Sequence, residues 1–339
     1  MTQEEGHSTV DARPKEGEFI RGPDADGMRE YFRRKPRNFV SKLMSARDAV
    51  AEYVHDGDYM ATGGFGTNRI PVALLHEVVR QRRRHLDFAG HTTTHDCQIL
   101  AAGECFDRVD ASYIVGLEAR GLSLTARRAC ESGRVEAVEW SNGALAWRYK
   151  AAAMGIPFLP ARVMLGTDTF NYSGCKEITC PYTGMRLLAV PALSPDVALI
   201  HVHRCDEFGN AQIDGITVAD VDLARAAKHV VLSTERLVSI DVIRSEPHRT
   251  AIPYFCVDAV VEQRYGGYPG NVAYEYFSDE EHLREWMAAE QDPAEFAAFL
   301  ERNIYGLPDF AAYLELRGGE ARLAQLREEE LLTCGGEGA

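Results

Sequence analysis

The residues that could do chemistry gather where strands give way to helices. The run Asp56-Gly57-Asp58-Tyr59-Met60-Ala61-Thr62-Gly63-Gly64-Phe65-Gly66-Thr67-Asn68-Arg69-Ile70-Pro71 reads as a strand that stops at a double glycine, turns through an exposed aromatic and an arginine, and starts a helix at a proline. Adjacent glycines let the backbone turn sharply and approach a ligand. Pro71 suits the first helical position, where an N–H would have no intrahelical partner. Free N–H groups in that first turn favour an anion, and Arg69 carries a planar fork matched to a carboxylate or phosphate. An ordinary glycine turn between strand and helix has the same spacing.

Further candidates follow other strand ends. Trp140-Ser141-Asn142-Gly143 follows a strand and opens a helix, where Ser141 or Asn142 can cap the helix or face a crevice at the carboxyl end of a sheet. Glu118 also stands between a strand and a helix, placed to orient a partner residue, to hydrogen-bond an acid substrate, or to pair with Arg120, Arg127 or Arg128 on the surface. In His91-Thr92-Thr93-Thr94-His95-Asp96 the threonines, Thr93 among them, offer hydroxyl donors. The two histidines fall in a loop without an evident third metal ligand, and His201 and His203 share one face of a strand. Polar lining or structural histidines are the expected reading, with no metal site.

The elements that position these residues alternate from Leu43 onward. Helix 45–55, strand 59–63, helix 71–84, strand 86–90, helix 96–103, strand 111–115, helix 123–131, strand 135–140 and helix 144–154 make strand-then-helix units. Such units predict an α/β fold, an open and mostly parallel sheet with helices on both faces. Residues 159–185 break the rhythm and read as a loop excursion or flap. Strands resume at 187–190, 197–203, 230–233 and 257–262, with a helix over 219–228. Residues 1–40 form a polar arm with at most one short helix, 41–278 the α/β domain, and 279–339 a helical segment and tail. The arm could wrap a partner or stay loose.

Composition narrows the partners. A formal net charge of −14 repels nucleic-acid phosphates. The one basic cluster, Arg80 to His85, ends a helix, where cations oppose the dipole. Eight cysteines without a Cys-x-x-Cys pair, and no signal peptide ahead of them, fit buried thiols in a cytoplasmic protein. No apolar run reaches the length of a membrane span.

Asp56-Gly57, Gly63-Gly64-Phe65 and Pro71 together resemble the signature of the A (alpha) subunits of family I CoA-transferases, most of all the glutaconate CoA-transferase type. Thr62 departs from the pattern by replacing an apolar residue. Arg69, where the wider family usually has glycine, is typical of the glutaconate-like branch. Ala151 to Pro160 and Val257 to Val261 also match, and the likeness runs from about Leu43 to about Leu316. It implies a fold of the CoA-transferase type, related to NagB and RpiA, and coenzyme A as co-substrate with no covalently bound cofactor. It also implies a partner, the B (beta) subunit, that carries the nucleophilic glutamate, so no catalytic residue is expected in this chain. Its own part would be backbone donors at Gly63, Gly64, Phe65 and Gly66, with Arg69 as a charged clamp. Related ring-opening hydrolases resemble this chain but carry a glutamate near the position of Asn142; an amide there can hydrogen-bond a substrate but cannot be acylated.

Three functions are expected in that order: the alpha chain of a CoA-transferase acting on short-chain or dicarboxylic acids, an acyl-CoA hydrolase or decarboxylase subunit on the same scaffold, and a non-catalytic acyl-CoA-binding module.

Overall fold

The computed structural model describes residues 19–114 and 121–332. Helix α1 (Ala25–Arg34) is capped by Asp24, whose carboxylate accepts from the Gly27 N–H; α2 (Ala46–Tyr53) is capped by Ser45, which accepts from Asp48. Four strand–helix units follow: β1 (Tyr59–Thr62) with α3 (Val72–Arg80), β2 (Leu86–Gly90) with α4 (His95–Ala102), β3 (Phe106–Ala111) with α5 (Leu124–Glu131), and β4 (Glu136–Glu139) with α6 (Asn142–Ala153). Next come β5 (Phe158–Ala161), α7 (Asp168–Asn171), β6 (Lys176–Thr179) and β7 (Arg186–Pro191). The second half of the large sheet is β8 (Val197–Cys205), β9 (Ala211–Gln212), α8 (Asp220–Ala226), β10 (His229–Leu237), α9 (Ile240–Ser245), β11 (Thr250–Ile252) and β12 (Ala259–Glu262). Helices α10 (Glu280–Ala289), α11 (Pro293–Leu300), α12 (Phe310–Leu316) and α13 (Gly319–Glu330) close the described chain.

The main sheet runs β12-β10-β8-β1-β2-β3-β4, every neighbouring pair parallel, with β9 and β11 added antiparallel beyond the end of β8. From β1 the chain adds strands outward to β4, then returns to the other side of β1 and adds β8, β10 and β12. The direction of winding therefore reverses between β1 and β8, the place where open parallel sheets leave a crevice at their carboxyl edge.

Alternation along the strands builds two apolar cores. Met60, Val197 and Leu199 face one core with α2, α3 and α4, while Tyr59, Ala61, Ala198 and Ile200 face the other with α6 and α8. Val72 to Val79 of α3 are all buried, because Trp286, Phe299, Phe310 and Tyr313 of the C-terminal helices cover the side that the sheet leaves open. Part of the N-terminal arm also lies on its own chain: Lys35 Nζ donates to the carbonyls of Lys228 at 2.7 Å and Cys256 at 3.0 Å and to Asp258 at 2.7 Å. Among the described residues no helix is long and apolar enough to cross a membrane.

Two expectations are corrected. The strand expected over 111–115 is instead Phe106–Ala111, five residues earlier at its start; Val115 lies outside the described residues. Its Asp and Arg residues disguise it: Arg108 pairs with Asp87 at 2.8 Å, and buried Asp110 accepts from Tyr59, Trp140 and Arg148. The excursion over 159–185 is not loop throughout: β5, α7 and β6 lie in it, β5 and β6 both pair antiparallel with β7, and Cys180 to Gly184 turn between β6 and β7.

Candidate functional site

The loop after β1 folds on itself because glycine allows it. Gly64 has φ +90, and a Cβ there would stand 2.7 Å from the Asn68 carbonyl oxygen. Phe65 and Asn68 exchange backbone hydrogen bonds of 3.0 and 2.9 Å, which closes the turn and leaves the Phe65 ring exposed, 5.7 Å from the His91 ring centroid.

The amides expected to bind an oxyanion are already committed. The N–H groups of Gly63, Gly64, Phe65 and Gly66 donate to the Leu199 carbonyl, the Asp220 carboxylate, the Asn68 carbonyl and the Thr92 carbonyl, at 2.9 to 3.1 Å. Pro71 caps α3 instead of occupying its first turn, and the Val72 and Ala73 amides donate to the carbonyls of Ile70 and Gly266. The anion site read from this spacing is thus satisfied by the protein itself.

Arg69 differs from the expected clamp in the same way. Its side chain is fully buried, paired with the equally buried Asp220, and donates to the Ile216 carbonyl at 2.8 Å and the His201 carbonyl at 3.4 Å. A guanidinium so enclosed faces protein and not a ligand. Nothing local in the sequence marks Asp220 as its partner, since 151 positions separate the two.

The loops after β2, β3 and β4 meet the Gly-Gly loop at one end of the sheet. Thr92 Oγ1 and Ser112 Oγ both donate to the side-chain oxygen of Asn142, at 2.9 and 2.6 Å. His91 Nε2 lies 3.1 Å from the Asn142 carbonyl oxygen, Thr93 donates to the Tyr113 carbonyl at 2.7 Å, and Thr94 donates to the Gly66 carbonyl. Two hydroxyls on one amide oxygen leave the exposed Asn142 with its N–H2 as the outward donor. Ser141 caps α6, accepting from the Ala144 N–H at 3.2 Å. Burial pushes His91 below its ordinary range, so its ring is neutral at pH 7. Glu118 lies outside the described residues.

Behind these loops stands Asp96, accepting from the Thr62 hydroxyl at 2.7 Å and from the amides of Thr94 and Cys97 at 2.8 and 2.9 Å. Burial outweighs those donors and pushes its carboxyl up to about 6. The histidine pairs do not meet: His95 bonds Gln98, His201 bonds Ser233 and Glu235, and His203 bonds the Ala273 carbonyl. Phe65 and Asn142 are therefore brought together through His91, whereas Thr93, fully buried on the Tyr113 carbonyl, and Arg69 both face protein. Ser112, missed in the sequence, was concealed by the late placement of β3.

Residues 43–263 match the family model described as Coenzyme A transferase. The A chain of glutaconate CoA-transferase from Acidaminococcus fermentans is 32% identical over 305 residues, 85% of this chain and 95% of its own. The crystal structure of glutaconate coenzyme A-transferase from the same organism has a TM-score of 0.81 at 31% identity and covers 84% of this chain and 95% of that one. An uncharacterised protein of Archaeoglobus fulgidus is 48% identical over 319 residues, 94% of this chain and 71% of that protein. A variant of the decarboxylase AibA/AibB has a TM-score of 0.69 at 30% identity and covers 78% and 98%.

Proposed function

The chain belongs to the coenzyme A transferase family, and on that ground we propose that it is the alpha subunit of a two-subunit enzyme moving CoA between an acyl-CoA and a short-chain or dicarboxylic acid of the glutaconate kind. The beta subunit supplies the glutamate nucleophile. That carboxylate attacks the acyl thioester and expels the CoA thiolate, which attacks the glutamyl carbonyl and releases the first acid. The second acid then takes CoA from the resulting glutamyl thioester.

One observation carries this division of labour. Two carboxylates beside the loops at the carboxyl edge of the sheet, Asp96 and Asp220, are both buried and already hydrogen-bonded within the chain, Asp96 by Thr62, Thr94 and Cys97 and Asp220 by Gly64 and Arg69. Neither is placed to attack a thioester. The chain offers positioned neutral donors instead, chiefly the Asn142 amide held by Thr92 and Ser112. A donor fixed before the reaction stabilises charge on a substrate oxygen without reorganising.

The test is to isolate the chain with its natural partners and measure CoA exchange between an acyl-CoA and added carboxylic acids. Turnover that requires an acceptor acid, with a glutamyl thioester trapped on a co-purifying chain of related fold, is the expected result. Likeness to the decarboxylase AibA/AibB supports a second reading, a decarboxylase or hydrolase subunit. Product formed without any acceptor would establish that reading and end the first. A solitary chain that binds acyl-CoA without turnover would end both.

A further inference from the structure

The crevice where the sheet reverses its winding, between β1 and β8, is filled by the chain's own ion pair. Asp220, 1% exposed at the start of α8, accepts from the Gly64 N–H at 2.9 Å and from Arg69, which is 0% exposed. Gly63 leaves room for it: a Cβ there would stand 2.8 Å from Asp220 Oδ1. The same guanidinium ties down the Ile216 carbonyl at 2.8 Å, so one arginine joins the loop after β1 to the loop before α8. Both loops hold unfavourable backbone. Arg69 has φ 60 and the β-branched Val218 has φ 46, left-handed conformations that persist only where the surroundings impose them. At the outer surface the two loops present exposed apolar side chains, Phe65 and Ile216.

We infer that Asp220 is a positioning residue: a built-in anion that occupies the slot a ligand's anion would otherwise take and, through Arg69 and Gly64, holds Phe65 and Ile216 as the apolar walls of the crevice mouth. A buried ion pair contributes little net stability compared with apolar side chains of the same volume, whereas removing one partner is costly. What the pair supplies here is geometry across two loops. The acid substrate is consequently not bound by Arg69, and its apolar portion meets Phe65 and Ile216. The kinetic side of this inference rests on the transferase reading; the structural side does not.

Arg69→Met with Asp220→Asn removes both charges together while keeping an acceptor for the Gly64 N–H, which avoids an unpaired buried ion. Two readouts are taken, hydrogen exchange of the 59–71 segment without substrate, and kcat and KM of the complex with its partner. Positioning requires slow exchange at Gly64 in the wild type. In the double variant it requires exchange at least tenfold faster there, kcat at least tenfold lower, and KM for either substrate within threefold. Fast exchange of Gly64 in the wild type overturns the inference, as does a folded double variant with unchanged exchange and kcat. A tenfold rise in KM for the acid at unchanged kcat also overturns it, because Arg69 would then be touching substrate. A wild-type complex without acceptor-dependent turnover counts against the proposed function alone, and the exchange measurement still decides this inference.

Discussion

Asn142 and Asp96 show how differently two polar side chains at the same end of a sheet behave. Asn142 is exposed and oriented by two hydroxyls, so its substitution should affect chemistry more than folding. Asn142→Asp keeps the acceptor for Thr92 and Ser112 but loses the outward donor, and kcat of the complex should fall about a hundredfold, the usual effect of removing one oxyanion donor. An unchanged kcat would remove Asn142 from the site. Asp96 is a folding residue with a pH signature. Its carboxyl is pushed up to about 6 by burial, above the ordinary 3.8, so the unfolded chain releases this proton first as pH rises. The stability present below pH 4 is lost as pH climbs through 6, about 3 kcal/mol for a shift of about two units. In Asp96→Asn, Oδ1 can accept from both amides and the amide nitrogen can donate to Thr62. The variant should therefore gain on wild type by about that amount between pH 4 and 7, read as the difference in urea midpoints at the two pH values. A constant difference would show that Asp96 is charged in the native protein.

The β4–α6 junction that carries Asn142 is held from behind. Trp140 donates to buried Asp110 at 2.7 Å, Arg148 pairs with the same carboxylate and lies 4.0 Å from the Trp140 ring centroid, and Ser141 caps α6. Ser141→Ala should cost about 1 kcal/mol through the lost cap. Arg148→Met should cost about 3–5 kcal/mol, because it strands the Asp110 charge, and Arg148→Met with Asp110→Asn should recover most of that loss. Chemical denaturation of the three variants checks the order; a double variant no better than Arg148→Met would show that the arginine acts by packing alone.

In the whole molecule, the C-terminal helices belong to the same core as the sheet. His76 of α3 is fully buried, with its ring 4.6 Å from that of Tyr313 and 5.3 Å from that of Phe310, while Trp286 and Phe299 join the same cluster. Burial beside Arg80, His95 and His282 holds His76 well below its usual range and hence uncharged. A chain ending at Ser278 would expose the apolar face of α3 and should fail to yield soluble folded protein. A soluble truncated chain with a cooperative thermal transition would instead mark 279–339 as an accessory unit.

What depends on neighbours along the chain is legible in the sequence. The succession of strand and helix, the serine caps at Ser45 and Ser141, and the glycine turn at Gly63-Gly64 all follow from periodicity, capping and φ, which act over a few residues. The convergence of Phe65 and Asn142 is legible too, since each follows a parallel strand and parallel strands end on one edge. The partners of polar groups are set by the folded chain alone. Arg69 looks like a ligand clamp until the order of strands brings Asp220 against it, and Gly64 looks like a free donor until the same carboxylate accepts from it. β3 reads as a loop because Arg108 and Asp110 are polar, and only the facing Asp87, Trp140 and Arg148 make their burial tolerable. A polar group can be buried when a partner meets it, and partners from distant segments are set by how the sheet is wound.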